Sequence, residues 1–171
     1  QLRDIIDATT DGDGSKRPLH VHVSEFASEN AAALSAYGVT PTRLLAEHGV
    51  LGQSTTVIHA THVTEDDVGL IGGSGATTCV CPTTAGDLGT GIAPVRALVQ
   101  AGSPLALGSD QHAVVDLLAE ARMLEMAERL RTQTRGVLDM PALVTALTRD
   151  GYQALGWDGG QLRTGSVADF F

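Results

Sequence analysis

Four short apolar segments alternate with helix-like segments along this chain, and this alternation constrains the fold more than any other feature. The strand-like segments lie within "PLHVHV", "STTVIHATH", "ATTCVCP" and "PLALGSD", and each is nearly continuous in apolar or β-branched residues. Strands that are buried on both faces have this pattern, which is typical of parallel sheets covered by helices. We therefore predict an α/β fold built around a parallel sheet.

The segments between the strands predict helices. Thr40 and Thr64 are good N-cap residues for two of them. The segment "TTAGDLGTG" is predicted to be a loop, and "MPALVTALTRDGYQALG" adds one or two helices. The longest predicted helix covers residues 114–132, with a single apolar stripe made of Leu117, Leu118, Ala121, Leu124, Ala127 and Leu130.

Charge and cysteine content limit the partners. The chain has 20 acidic and 11 basic residues, a formal net charge of −9, which argues against a nucleic-acid or anionic-membrane partner. No apolar run approaches the roughly 18 residues of a membrane-spanning helix. Cys79 and Cys81 are the only cysteines, and strand burial explains them better than a metal or redox site. We expect a cytoplasmic protein that acts on a small molecule.

Polar and ionisable side chains stand where each predicted strand ends. In parallel α/β folds these ends lie at one rim, and the working residues cluster there. The four strands would bring the following residues to that rim: His22 and Glu25, then His59 and His62, then Thr83 to Asp87, and finally Ser109, Asp110 and His112.

The first strand carries two histidines on one face. His20 and His22 alternate with valines, and imidazoles on a buried strand are costly unless a metal, a water or a hydrogen bond holds them. Glu25, three residues after His22, is placed to shuttle protons beside a metal-bound water. The alternative is a buried, hydrogen-bonded histidine with no chemical role.

The later strands add three candidates. His59 ends the second strand, whereas His62 already lies in the turn and is expected to have a supporting role. Asp110 follows the fourth strand and is a candidate metal ligand and general base, although an aspartate that caps the next helix would have the same position. His112, two residues later, is ambiguous.

The motifs "HVHVSE", "VIHATH", "CPTT" with "LGTG", and "LALGSDQH", in this order, resemble the amidohydrolase superfamily of metal-dependent barrel hydrolases. Within it they are most similar to the formimidoylglutamate deiminase family. The resemblance implies that residues 1–160 form the C-terminal half, strands five to eight, of a (β/α)8 TIM-type barrel. Residues 161–171 would begin the return strand to a small β-sandwich domain. We expect a piece of a longer protein whose other half supplies further metal ligands.

The resemblance also implies roles for individual residues. His22 and Asp110 would bind one divalent cation, with zinc as the first choice and iron or manganese as alternatives. Asp110 would also take a proton from water, His59 would hydrogen-bond the attacking water or the intermediate, and Glu25 would protonate the leaving nitrogen. Substrate-binding or supporting positions would be His20, His62, Thr83, Thr84, Asp87, Ser109 and His112.

The implied reaction is hydrolysis of N-formimino-L-glutamate to N-formyl-L-glutamate and ammonia, a step of histidine degradation. The full-length protein is expected to be a homodimer and the isolated chain inactive. Four pocket positions depart from the family, where Gln, Glu, Asn and Asp are usual: Phe26, Ala85, Asp87 and Thr90. The alternatives are therefore a related deaminase or chlorohydrolase acting on a purine, S-adenosylhomocysteine or a triazine, and a non-catalytic degenerate paralogue.

Overall fold

The computed structural model describes residues 10–14, 16–111 and 114–169, together with Asp4 and Ala8. Its centre is a parallel sheet of four strands in the order β1-β2-β3-β4. The strands pair in sequence order, with His22 beside Ile58 and Val23 beside His59. The predicted α/β fold with a parallel sheet is confirmed. The strands are β1 (Leu19–Val23), β2 (Thr55–His59), β3 (Thr77–Val80) and β4 (Leu105–Leu107).

Eight helices surround this sheet in the part of the chain from Leu19 to Asp169. Two follow β1, one follows β2, two follow β3 and three follow β4. They are α1 (Ala27–Tyr37), α2 (Pro41–Glu47), α3 (Glu65–Ser74), α4 (Pro82–Leu88), α5 (Val95–Gln100), α6 (Leu117–Thr132), α7 (Met140–Leu147) and α8 (Arg149–Ala154).

Both predicted threonine caps are confirmed. The Thr40 hydroxyl accepts a hydrogen bond from the Arg43 amide at the start of α2. At the start of α3, the Thr64 hydroxyl accepts from the Asp67 amide and the Asp67 carboxylate accepts from the Thr64 amide. These bonds satisfy amide groups that have no partner inside a helix, and they fix where each helix begins.

Two apolar clusters hold the helices against the sheet. One joins β1 and β2 to α2, α3 and α5 through side chains that include Val57, Ile71 and Leu98, all fully buried. The other joins β3 and β4 to α6 and α7 and includes Val80, Leu107 and Leu124. The strands β2, β3 and β4 are largely buried, whereas one face of β1 exposes His20 and His22.

The predicted apolar stripe of the longest helix is confirmed only in part, since Ala121 and Leu124 are buried as predicted. Helix α6 begins at Leu117, and not at residue 114, because Asp116 caps it by accepting from two amides of its first turn. Leu118 and Leu130, assigned to the stripe, are 62% and 77% exposed, whereas Glu120 and Glu128 are fully buried.

Hydrogen bonds to distant backbone explain this burial. Glu120 accepts from the Thr83 amide at 2.9 Å, and Glu128 accepts from the Val95 amide at 3.1 Å. Glu125 accepts from the Leu138 amide at 3.4 Å. A buried carboxylate is tolerated when such donors compensate for its lost hydration.

The segment predicted as a loop after the third strand contains helix α4. Pro82 occupies its first turn, where a proline is well tolerated, and Gly89 ends it with a left-handed φ of 68°. Cys81 is the N-cap of this helix and lies just beyond β3.

Residues 161–169 form bends and a turn, and the start of a second domain there stays a prediction. Among the described residues, every helix is too short or too polar to cross a membrane.

Candidate metal centre

The ends of β1, β2 and β4 bring four ionisable side chains together. His22 lies on β1, Glu25 lies two residues beyond that strand, and His59 is the last residue of β2. Asp110 follows β4 by three residues. Because parallel strands end at the same edge of a sheet, residues far apart in sequence become neighbours, as the strand pattern predicted.

Distances within this group are short. His22 Nε2 lies 3.5 Å from one Asp110 carboxylate oxygen, and His59 Nε2 lies 3.7 Å from the other. The two imidazole rings are 5.0 Å apart, and His59 Nε2 lies 3.6 Å from Glu25 Oε1. One ligand atom from each of His22, His59 and Asp110 lies within 4.8 Å of the other two.

The backbone takes unusual conformations at these strand ends. Ser24, His59, Ala60 and Asp110 all have left-handed φ values, between 47° and 73°. Such conformations are uncommon for residues other than glycine and cost about 1–3 kcal/mol each unless neighbours hold them. They turn the chain sharply at the rim.

The donor set fits a divalent cation. His59 Nε2 is buried and has no hydrogen-bond partner in the part of the chain that the structure describes, an expensive state for a ring nitrogen. Its distances to Glu25 and Asp110 exceed ordinary hydrogen-bond lengths, yet all three groups face a common space. Two imidazoles and a carboxylate are ligands that zinc accepts. The sequence assigned two ligands, His22 and Asp110, and the geometry adds His59 as a candidate third.

Burial lowers the pKa of His59, because desolvation of the charged ring outweighs the opposing effects of Glu25 and Asp110. A neutral ring keeps a nitrogen lone pair, which a metal or a hydrogen-bond donor requires. His59 is therefore prepared for ligation or hydrogen bonding at neutral pH.

The structure does not bring His20 or His62 into this group. His20 Nε2 lies 2.9 Å from the carbonyl oxygen of Ala154, the last residue of α8. His62 Nε2 lies 2.8 Å from the Thr90 carbonyl oxygen, so it links two rim loops; the supporting role predicted for it stays a prediction.

The other described supporting residues are on α4 or directly beside Asp110 in the chain. Thr83 and Thr84 are in the first turn of α4, and Thr84 is hydrogen-bonded to the Ser109 carbonyl oxygen. Asp87 accepts a hydrogen bond from the Gln111 side chain. His112 lies outside the described residues.

Sequence reasoning missed Glu29. Its carboxylate accepts hydrogen bonds from the amides of Ser24 and Glu25, both at 2.9 Å, and so fixes the turn that carries Glu25. The signal was available, since an acidic residue in the first turn of a helix is well placed to bind free amides. Glu120 also lies in the first turn of its helix, α6, but the amide that it binds is that of Thr83 on a different helix, which no local pattern indicates.

The fold and this group of side chains define a metal-dependent hydrolase architecture, and the sequence agrees. The chain belongs to the amidohydrolase family, whose model matches residues 7–171. The predicted resemblance to this superfamily is confirmed.

Two curated relatives show the range of substrates. The chain is 32% identical over 171 residues to the 5-methylthioadenosine/S-adenosylhomocysteine deaminase of Halobacterium salinarum, covering 98% of the chain and 39% of that protein. It is 34% identical over 159 residues to the formimidoylglutamate deiminase of Pseudomonas aeruginosa, covering 89% of the chain and 35% of the relative. The chain thus spans less than two fifths of the length of these relatives.

Two solved structures share the fold. An adenosine deaminase from Xanthomonas campestris with bound zinc superposes with a TM-score of 0.83 at 29% identity, covering 89% of this chain and 36% of that one. Atrazine chlorohydrolase from Arthrobacter aurescens, complexed with zinc, superposes with a TM-score of 0.86 at 25% identity. The match covers 98% of this chain and 38% of that one. The four-stranded sheet is therefore a partial amidohydrolase TIM barrel.

Proposed function

We propose that the protein is a zinc-dependent deaminase that hydrolyses a C–N bond and releases ammonia. The convergence of His22, His59 and Asp110 around one space, with Glu25 beside them, carries this proposal. Four groups of complementary chemistry at one rim are hard to reconcile with a scaffold that has lost its activity.

Zinc held by His22 and Asp110, with His59 adjacent, would act as a Lewis acid and lower the pKa of a water molecule toward about 7. Asp110 has two carboxylate oxygens, one toward each histidine, and accepts the proton that this water loses. Transfer of this proton from Asp110 to Glu25, after Glu25 has protonated the leaving nitrogen, would restore both groups.

His59 and Glu25 act on the substrate side. His59 is buried, and burial favours its neutral form; among the described residues its Nε2 has no hydrogen-bond partner. With the ring proton on Nε2 it would donate a hydrogen bond to the developing oxyanion, and with the lone pair there it would accept one from the attacking water. Glu25, fixed by Glu29, delivers a proton to the nitrogen that leaves as ammonia.

The substrate we favour is an aminopurine nucleoside of the 5-methylthioadenosine or S-adenosylhomocysteine type. Relatives named as deaminases of these compounds match in organisms as different as Halobacterium salinarum and Pyrococcus furiosus. The pocket departures at Phe26, Ala85, Asp87 and Thr90 count against formiminoglutamate, the substrate expected from the sequence.

A cavity beside His59 supports the same choice. Its volume is about 530 Å³, and its walls are largely apolar, with Ile92, Met123 and Met126 among them beside the charged Arg122. An apolar wall suits an aromatic ring or a thioether better than a dicarboxylate, which needs charged or hydrogen-bonding partners.

The test is ammonia release by the full-length gene product, loaded with zinc and offered 5-methylthioadenosine, S-adenosylhomocysteine, formiminoglutamate and atrazine in parallel. We expect turnover of the purine nucleosides, and its loss in Glu25→Gln. The control variant is Glu47→Gln, on the exposed end of α2, which should keep full activity.

Turnover of formiminoglutamate alone would overturn the assignment of a purine substrate, but it would agree with the proposed deaminase activity. Chloride release from atrazine without ammonia would move the protein to the chlorohydrolases. Stoichiometric zinc without turnover of any of the four would contradict the catalytic roles, and absence of bound zinc would contradict the metal centre.

A further inference from the structure

The backbone at Asp110 needs support from outside its own segment. Asp110 has a φ of 47° and lies beyond the end of β4, so no strand pairing holds it. A strained residue at a ligand position persists only when surrounding groups fix it. A metal ligand must also be held to within about 0.5 Å of its working position.

Thr84 supplies this support on both sides of Asp110. Its hydroxyl donates to the carbonyl oxygen of Ser109 at 3.0 Å and accepts from the amide of Gln111 at 3.3 Å. Thr84 is fully buried, so water does not compete for either bond. A single hydroxyl therefore bonds the residue before Asp110 and the residue after it.

Glu120 holds the turn that carries Thr84. The first turn of α4 has no cap from its own N-cap residue, Cys81. Instead the Glu120 carboxylate, fully buried on α6, accepts from the Thr83 amide at 2.9 Å and also from the Thr83 hydroxyl. A carboxylate at this end of a helix also interacts favourably with the free amides.

We propose that Glu120 and Thr84 are positioning residues for Asp110: Glu120 fixes the start of α4, and Thr84 then fixes the backbone on both sides of the metal ligand. This proposal rests on the proposed function insofar as Asp110 binds the metal. Both residues act through Asp110 alone, by way of hydrogen bonds to its neighbours.

The experiment is a cobalt(II) titration of the metal-free full-length gene product, followed by the visible absorption of the bound ion. Thr84→Val keeps the shape of the side chain and removes both hydrogen bonds. We expect it to weaken cobalt binding about 10- to 100-fold, the range typical of residues that orient a metal ligand. Thr84→Ser keeps the hydroxyl and should restore both the affinity and the spectrum.

Helix α6 offers a matched control for Glu120. Glu128 is equally buried and caps the start of α5 by accepting from the Val95 amide. This bond is separate from the hydrogen bonds that connect Glu120 and Thr84 to the neighbours of Asp110. Glu120→Gln should weaken cobalt binding and alter the spectrum, whereas Glu128→Gln should change neither, although both variants lose folding stability.

The amide exchange rate of Gln111 in the metal-free chain gives an independent measurement. Thr84→Val should accelerate it, because the amide loses its acceptor. Unchanged cobalt affinity in Thr84→Val, or equal losses in Glu120→Gln and Glu128→Gln, would overturn the positioning roles. If the unmodified full-length protein binds no cobalt, the metal centre of the proposed function fails, and Gln111 exchange alone decides whether Thr84 fixes this backbone.

Discussion

Replacing Gly72 by alanine should destabilise the chain, and the reason lies in one helix contact. Gly72 faces Ala101 where α3 crosses the end of α5. A β-carbon added at Gly72 would lie 2.3 Å from the Ala101 carbonyl oxygen, 2.5 Å from its carbonyl carbon and 2.6 Å from its β-carbon. Ordinary contacts are 3.4–4 Å. Because two of these atoms belong to the backbone, the two helices must move apart.

The magnitude follows from two opposing effects. Overpacking of a tight contact costs about 1–3 kcal/mol. Alanine in place of glycine inside a helix contributes about 0.5–1 kcal/mol in the other direction. We therefore expect Gly72→Ala to lower the free energy of unfolding by about 1–2 kcal/mol.

The same helix provides two controls. Gly69 and Gly73 also lie in α3, and an added β-carbon would have no atom within 4 Å at either position. Gly69→Ala and Gly73→Ala should raise the free energy of unfolding by about 0.5–1 kcal/mol. Urea denaturation measures all three, compared at a constant m value. If Gly72→Ala proves as stabilising as its two neighbours, the close approach of α3 to Ala101 is refuted.

Three further predictions concern the rim and the core. Asp110→Asn should weaken zinc binding at least about tenfold by calorimetry, since the ligand loses its charge, and equal affinity would remove Asp110 from the ligand set. Thr42→Val should raise the free energy of unfolding by about 1 kcal/mol, because the buried Thr42 hydroxyl has no partner among the residues with a described position; a lower melting temperature would contradict this. In the metal-free chain, His59 faces Glu25, Asp110 and His22, and its pKa is lower in the folded chain than in the unfolded one. As the pH falls, the unfolded chain is therefore protonated at a higher pH than the folded chain. Stability should fall as the pH drops below about 6.5 and level off above it, and His59→Gln should reduce that slope in urea titrations at several pH values.

The sheet and its rim could be predicted because local sequence determines them. Each strand is a run of apolar or β-branched residues, and the side chains that follow it must lie at one edge when the strands are parallel. His22, His59 and Asp110 were found on this basis, although they are far apart in the chain.

The supporting interactions could not be predicted because they depend on how distant elements dock. Periodicity placed Leu118 and Leu130 of α6 toward the core, yet Glu120 and Glu128 are buried there. Their partners are amides at the start of α4 and α5, which no local pattern reveals. The same limitation hid the role of Thr84, whose bonds reach across to the segment after β4.

The three buried glutamates of α6 make the length of this helix critical. Glu120, Glu125 and Glu128 each accept a hydrogen bond from the backbone amide of a different segment. One residue inserted between Glu120 and Glu125 would rotate everything after it by about 100°, since a helix has about 3.6 residues per turn. Two carboxylates would then lose their donors at once, so this stretch should tolerate substitution far better than any change in residue number.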